Sequence, residues 1–164
     1  SSLGLEPWHF LVVRSQPIKD ALQVASFGQP QLGSASVVIV ILVKQAALEP
    51  GSAYVKQLCE RNATALESYD WLIACHADLA RHADMLAWGV AQCHIAVANM
   101  MTAAAVAGID SCPIGGFDRA QAQQALAIDA AQYSIALMLP LGYRLDPPPA
   151  QHLRLSLADL VSYR

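Results

Sequence analysis

Hydrophobic and polar positions divide this chain into short apolar runs set off by turn residues, with one long apolar stretch in the middle. Trp8 to Arg14 is aromatic and β-branched, which predicts a buried strand. Pro17 predicts a helix opening at its first position and running to about Ser26, with Ile18, Ala21, Leu22 and Ala25 on one face. Phe27 to Ser34 reads as a loop. Ser36 to Val43 is a continuous, largely β-branched run suited to burial on both faces, hence a central strand. Pro50-Gly51 breaks the chain. Ala53 to about His82 is helical but weakly amphipathic and carries most of the charge, so it is expected as an exposed helical lid. Met85 to Gly108 predicts a long apolar helix ended by a glycine cap. Ile109 to Pro113 predicts a short strand, Asp118 caps a helix through about Ile128, and Tyr133 to Tyr143 predicts a last buried strand. Pro147-Pro148-Pro149 stops that strand, and Leu153 to Val161 forms a short tail. With no internal repeat, the pattern predicts one domain over 1–164.

The long helix has the length of a membrane span. Gln92, His94, Asn99 and Thr102 interrupt it, however, and no basic flank orients it. Gln92 and Asn99, seven apart, share a face, so a polar stripe is expected to look toward a polar ligand. Its many alanines permit close helix–helix approach, and a helix apolar on all sides is expected to be buried on all sides, with a second copy of itself as the other wall. His94 reads as a core histidine.

Composition sharpens this. Of 164 residues, 55% are hydrophobic and 14% charged, with a mean hydropathy of +0.35, which is apolar for a free-standing monomer. A net charge of −3 without a basic run argues against nucleic acid and against anionic membrane surfaces. Cys59, Cys75, Cys93 and Cys112 show no C-x-x-C spacing and read as free thiols in a reducing, cytoplasmic setting. His76 and His82 are six apart, a spacing that does not stack two ligands on one helical face. Asn62-Ala63-Thr64 matches a glycosylation sequon, which is idle in a cytosolic chain.

Four stretches carry candidate chemistry. Ser1-Ser2-Leu3-Gly4 before Trp8 offers hydroxyls and backbone N–H groups at the mouth of a sheet. Phe27-Gly28-Gln29-Pro30-Gln31 places the amide of Gln31 in a turn, where it can both donate and accept. Pro113-Ile114-Gly115-Gly116-Phe117-Asp118 leaves backbone N–H groups beside residues with no side chain. In the tail, Arg154 with His152 two residues before it reads by itself as a surface residue, its fork able to pair with a phosphate dianion only if the surrounding pattern places one there.

In order and spacing these stretches resemble the FMN-dependent nitroreductase family. The opening is similar to its P-S-S-x-N-x-Q-P-W-x-F segment, and Gln92 to Asp118 to its central helix followed by P-I-E-G-F-D. Gly28-Gln29-Pro30-Gln31 is similar to its N-Q-P-Q loop, and the tail to K-x-R-x-x-x-x-x-x-V. The resemblance implies an α+β fold with a central, mostly antiparallel sheet flanked by helices, and a long central helix at a homodimer interface. It implies FMN held by Ser1, Ser2, Gly4, Gln31, Gln92, Pro113, Ile114, Gly115, Gly116, His152 and Arg154, with a backbone N–H at Gly115-Gly116 donating to the flavin N5. It implies ping-pong electron transfer from NAD(P)H to a small acceptor such as a nitroaromatic or quinone, with no side chain nominated as catalytic.

The chain departs from the family pattern at Gly4, Gly28, Gly115 and His152, where asparagine, asparagine, glutamate and lysine are usual, and the family's N-terminal helix does not precede Ser1. A flavin-free or weakly flavin-binding dimeric module of the same fold is therefore the alternative. The unmatched Ala53–His82 stretch would decide for a specialised flavin enzyme, such as a flavin-degrading or dehalogenating relative.

Overall fold

The computed structural model describes residues 1–145 and 154–164. Four strands form one antiparallel sheet in the order β1-β2-β4-β3. They are β1 (Trp8–Val13), β2 (Val37–Val43), β3 (Asp110–Ser111) and β4 (Ser134–Gly142). β2 and β4 lie in the middle, where their apolar sequences are covered on both faces.

Side-chain alternation divides the core in two. Val38, Val40 and Leu42 of β2, with Leu11 and Val13 of β1, face α1 (Gln16–Ala25), α2 (Pro30–Ser34) and α6 (Arg119–Ala125). Ile39, Ile41 and Val43, with Trp8 and Phe10, face α5 (Met85–Val106). The β2–β4 register slips between Ile41 and Leu42, which pair with Leu137 and Ile135. That bulge leaves Ala136 over and turns it, with Leu137, toward α5.

Several boundaries move. α1 begins at Gln16, and its buried residues are Lys19, Leu22 and Ala25, with Ala21 outside. Lys19 is tolerated there because its Nζ donates to the Ala35 carbonyl at 2.6 Å. The expected loop before β2 contains the single turn α2, opened by Pro30. The expected lid is two helices, α3 (Ala53–Asn62) and α4 (Tyr69–His82). Thr64 Oγ1 accepts from the backbone N–H groups of Leu66 and Glu67 in the intervening turn, and Ser68 then caps α4 through Trp71 N. Both helices pack: Val55, Leu58, Cys59 and Leu72 form a third cluster with Leu5, and Trp88 bridges it to the sheet.

α5 starts at an Asp84 cap that accepts from Leu86 N and Ala87 N, and Gly108 follows its end in a left-handed conformation (φ +73°). Gly89 lets it settle on the sheet, since a Cβ there would come within 2.6 Å of Val43 Cγ1. Only the Gly89, Gln92, Cys93, Val97 side is buried, so within one chain this helix is covered along one stripe and not all round. Leu86, Ile95 and Val106 face outward, the last two at 53% and 86% exposure. By length and composition it is also the one helix among the described residues that could cross a membrane. His94, expected in the core, stands on the outer side, with Nδ1 against its own Val90 carbonyl.

Candidate functional site

The candidate residues fall into two groups at opposite edges of the sheet. The first surrounds the opening segment. Ser2–Gly4 makes a 3₁₀ turn just before the edge strand β1, and Ser2 N donates to Gln92 Oε1 of α5 at 2.8 Å. Ser1 Oγ accepts from Glu6 N at 2.8 Å, folding the segment back on itself. The Ser2 hydroxyl has no partner among the described residues and is exposed. Asn99 does not join Gln92: its Nδ2 returns to the Ile95 carbonyl, and Thr102 likewise bonds Ala98. The expected polar stripe thus reduces to Gln92.

The second group lies beyond the other edge strand, β3. Ile114 bridges to Met138 in both directions, at 2.8 and 2.9 Å, and its side chain is core, so both its backbone groups and its side chain are engaged within the fold. After it the chain swings out through Gly115 and Gly116. A Cβ at Gly115 would meet nothing within 4 Å, and neither glycine N–H has an acceptor among the described residues. The turn is tied down by Gln29, whose Nε2 donates to Gly116 O at 2.9 Å, and by Asp118 N, which donates to Ala25 O at 2.7 Å. Gln29 was not singled out in the sequence, although it belongs to the same Gly-Gln-Pro-Gln run. Gln31 lines a neighbouring cavity of about 180 Å³ with Ser34, Ser36, Ser111 and Cys112. Arg144 closes that cavity by pairing with Asp110, donating through Nε at 2.7 Å and through Nη2. The Arg144 hydrogen bond holds the Asp110 carboxyl below its usual range.

Three inter-strand spacings, roughly 14 Å, separate β1 from β3. The groups also lean to different faces: the opening segment toward α3 and α5, the glycine turn toward α1 and α2. One copy of the chain therefore does not bring them into one pocket. Arg154 begins the described tail, just before α7 (Leu157–Leu160), and His152 lies outside the described residues.

None of the four thiols forms a disulfide, and burial pushes the Cys59 thiol up and that of Cys93 up to about 11, so these two are inert at neutral pH.

The fold is that of an α+β protein, one antiparallel sheet flanked by helices with an open glycine turn beyond its edge strand. Solved structures share it: one from Bacillus subtilis described as a nitroreductase superposes with a TM-score of 0.81 at 22% identity, covering 100% of this chain and 81% of that one. Another, from Exiguobacterium sibiricum and described as a nitroreductase in complex with FMN, gives 0.78 at 23% identity over 100% and 80%. The nitroreductase family profile matches residues 1–143. A Staphylococcus epidermidis protein named as an NAD(P)H nitroreductase is 36% identical over 178 residues, 99% of this chain and 80% of the relative. A Staphylococcus aureus protein of the same name is 32% identical over 99% and 78%. The chain belongs to the nitroreductase family, and its relatives' names place it among oxidoreductases.

Proposed function

We propose that this chain is an FMN-dependent NAD(P)H oxidoreductase working as a homodimer in the cytoplasm, as one domain over 1–164. The observation that carries the reading is the Gly115-Gly116 turn: two uncommitted backbone donors beside open space, fixed from behind by Gln29. Such preorganised donors suit the electron-rich edge of a flavin ring. FMN, when bound, supplies the two-electron carrier between NAD(P)H and a small acceptor such as a nitroaromatic or quinone, the two substrates using one face in turn.

The protein's own groups bind and orient. Gly115 and Gly116 donate from the backbone beside Pro113 and Ile114, and the Gln31 amide reaches the ring's polar edge. The Arg154 fork, with His152 beside it in sequence, serves the phosphate. The Ser1–Gly4 segment and Gln92 supply the opposite wall from a second copy. The separation of the two groups in one chain, together with the uncovered apolar side of α5, supports that arrangement. Replacement of the usual glutamate by Gly115 removes a carboxylate from the ring's edge and leaves the backbone donor in place.

The test is direct. Purified protein, or protein incubated with excess FMN and desalted, is expected to be yellow, absorbing at about 450 nm, and to bleach under NADH or NADPH without oxygen. Protein that stays colourless after loading would replace this reading with the flavin-free module.

A further inference from the structure

Helix α3 carries none of the four candidate stretches singled out in the sequence, yet it satisfies the carbonyls of the opening segment one after another. Asn62 Nδ2 donates to Leu3 O at 3.3 Å and to Gly4 O at 3.1 Å. Arg61 Nη2 donates to Gly4 O at 3.3 Å and pairs with Glu6 at 3.0 Å, while its Nε donates to Asn62 Oδ1 at 3.2 Å and so orients the carboxamide. The Tyr54 hydroxyl, itself accepting from Lys44 Nζ at 3.0 Å, stands 3.0 Å from Leu5 O and 2.7 Å from Glu6 O. Four consecutive carbonyls are thus held by three side chains of one helix.

The segment needs holding. Leu3, Gly4 and Glu6 all have positive φ, at +54°, +61° and +42°, and two of the three carry side chains that disfavour it. Such a conformation persists only where neighbours over-determine it. The space is also specific: a Cβ at position 4 would fall 2.2 Å from Asn62 Nδ2 and 3.0 Å from Asn62 Cγ. The Asn62 carboxamide fills the volume that a side chain at position 4 would occupy.

We propose that Tyr54, Arg61 and Asn62 are positioning residues that hold the Ser1–Glu6 segment in its strained form, with the Asn62 carboxamide taking the place of a side chain at position 4, so that the Ser2 hydroxyl is presented to the cofactor. This rests on the reading of that segment as a cofactor wall. It makes the two positions reciprocal. Asparagine is among the few residues besides glycine that tolerate a left-handed backbone, so Gly4→Asn becomes acceptable only once Asn62 is cut back.

The experiment titrates FMN into the full-length wild type, Asn62→Ala, Gly4→Asn and the double variant, and follows hydrogen exchange at the Gly4, Leu5 and Glu6 amides without FMN. Each single variant is expected to weaken FMN binding about tenfold and to speed exchange at those amides, and the double variant to recover most of both losses. Equal affinity and exchange in Asn62→Ala and wild type would overturn the proposal, as would a double variant no better than the worse single one. Should the wild type bind no FMN, the cofactor reading falls, and the exchange pattern alone still decides whether position 62 holds this segment.

Discussion

Ser2 and Gln92 stand ninety residues apart in the chain and are joined by a 2.8 Å hydrogen bond from the Ser2 N–H to the Gln92 side-chain oxygen. Gln92 is buried to within 9% exposure, so this bond anchors the start of the chain to the central helix from the inside. Gln92→Leu keeps the volume and removes the acceptor. FMN affinity is expected to fall about three- to tenfold in a fluorescence titration, the range set by losing one hydrogen bond to a partly buried donor. Unchanged affinity would remove Gln92 from the proposed wall.

The outward side of α5 supplies a second prediction. Ile95 is 53% exposed in the single chain, so Ile95→Lys costs the monomer's fold little. In a dimer built on that face it buries an unpaired charge. Size-exclusion chromatography with light scattering is expected to give a dimer for the wild type and a folded monomer for the variant. A wild-type monomer would sink the interface assignment.

Gly89 sets how closely that helix lies on the sheet. An alanine there gains helix propensity of about 1 kcal/mol, but its Cβ meets Val43, which is fully buried and has no room to give. Overpacking of this kind costs about 1–3 kcal/mol, so Gly89→Ala is expected to be net destabilising, seen as a lower Tm. An equal or higher Tm would contradict the close approach.

His76 gives the pH dependence. It is 1% exposed, its Nε2 has no partner among the described residues, and burial pushes its pKa below the ordinary histidine value while a Leu48 backbone hydrogen bond opposes this. The folded state therefore favours neutral imidazole. Its contribution to stability is complete above the unfolded pKa of about 6.5 and is lost progressively as pH falls from there toward the lower folded value. Urea midpoints are expected to drop between pH 8 and pH 5.5 in the wild type and to drop less in His76→Leu. Identical slopes would clear His76 of the effect.

Local chemistry made much of the architecture legible. Val37–Val43 is β-branched at every position but Leu42, the Ser- and Asp-led turns cap helices through their own side chains, and Gly108 ends α5 because it alone there takes a left-handed backbone cheaply. These signals depend on a few neighbouring residues. The break within 53–82 was also local, written in Thr64 and Ser68, but a charged and weakly amphipathic stretch hides it. The roles of Asn62 and Gln29 had no local signal, since each acts on a carbonyl 58 or 87 residues away.

By itself, the sequence determined the strands, the long apolar helix, the capped turns and the family, because periodicity, β-branching and ordered motifs are properties of adjacent residues. Only the tertiary structure decided that Ser1–Gly4 and Gly115–Gly116 stand at opposite edges of one sheet, that α5 leaves half its surface uncovered, and that α3 grips the first residues. Those are matters of strand order and side-chain reach across the fold, which no window of sequence contains.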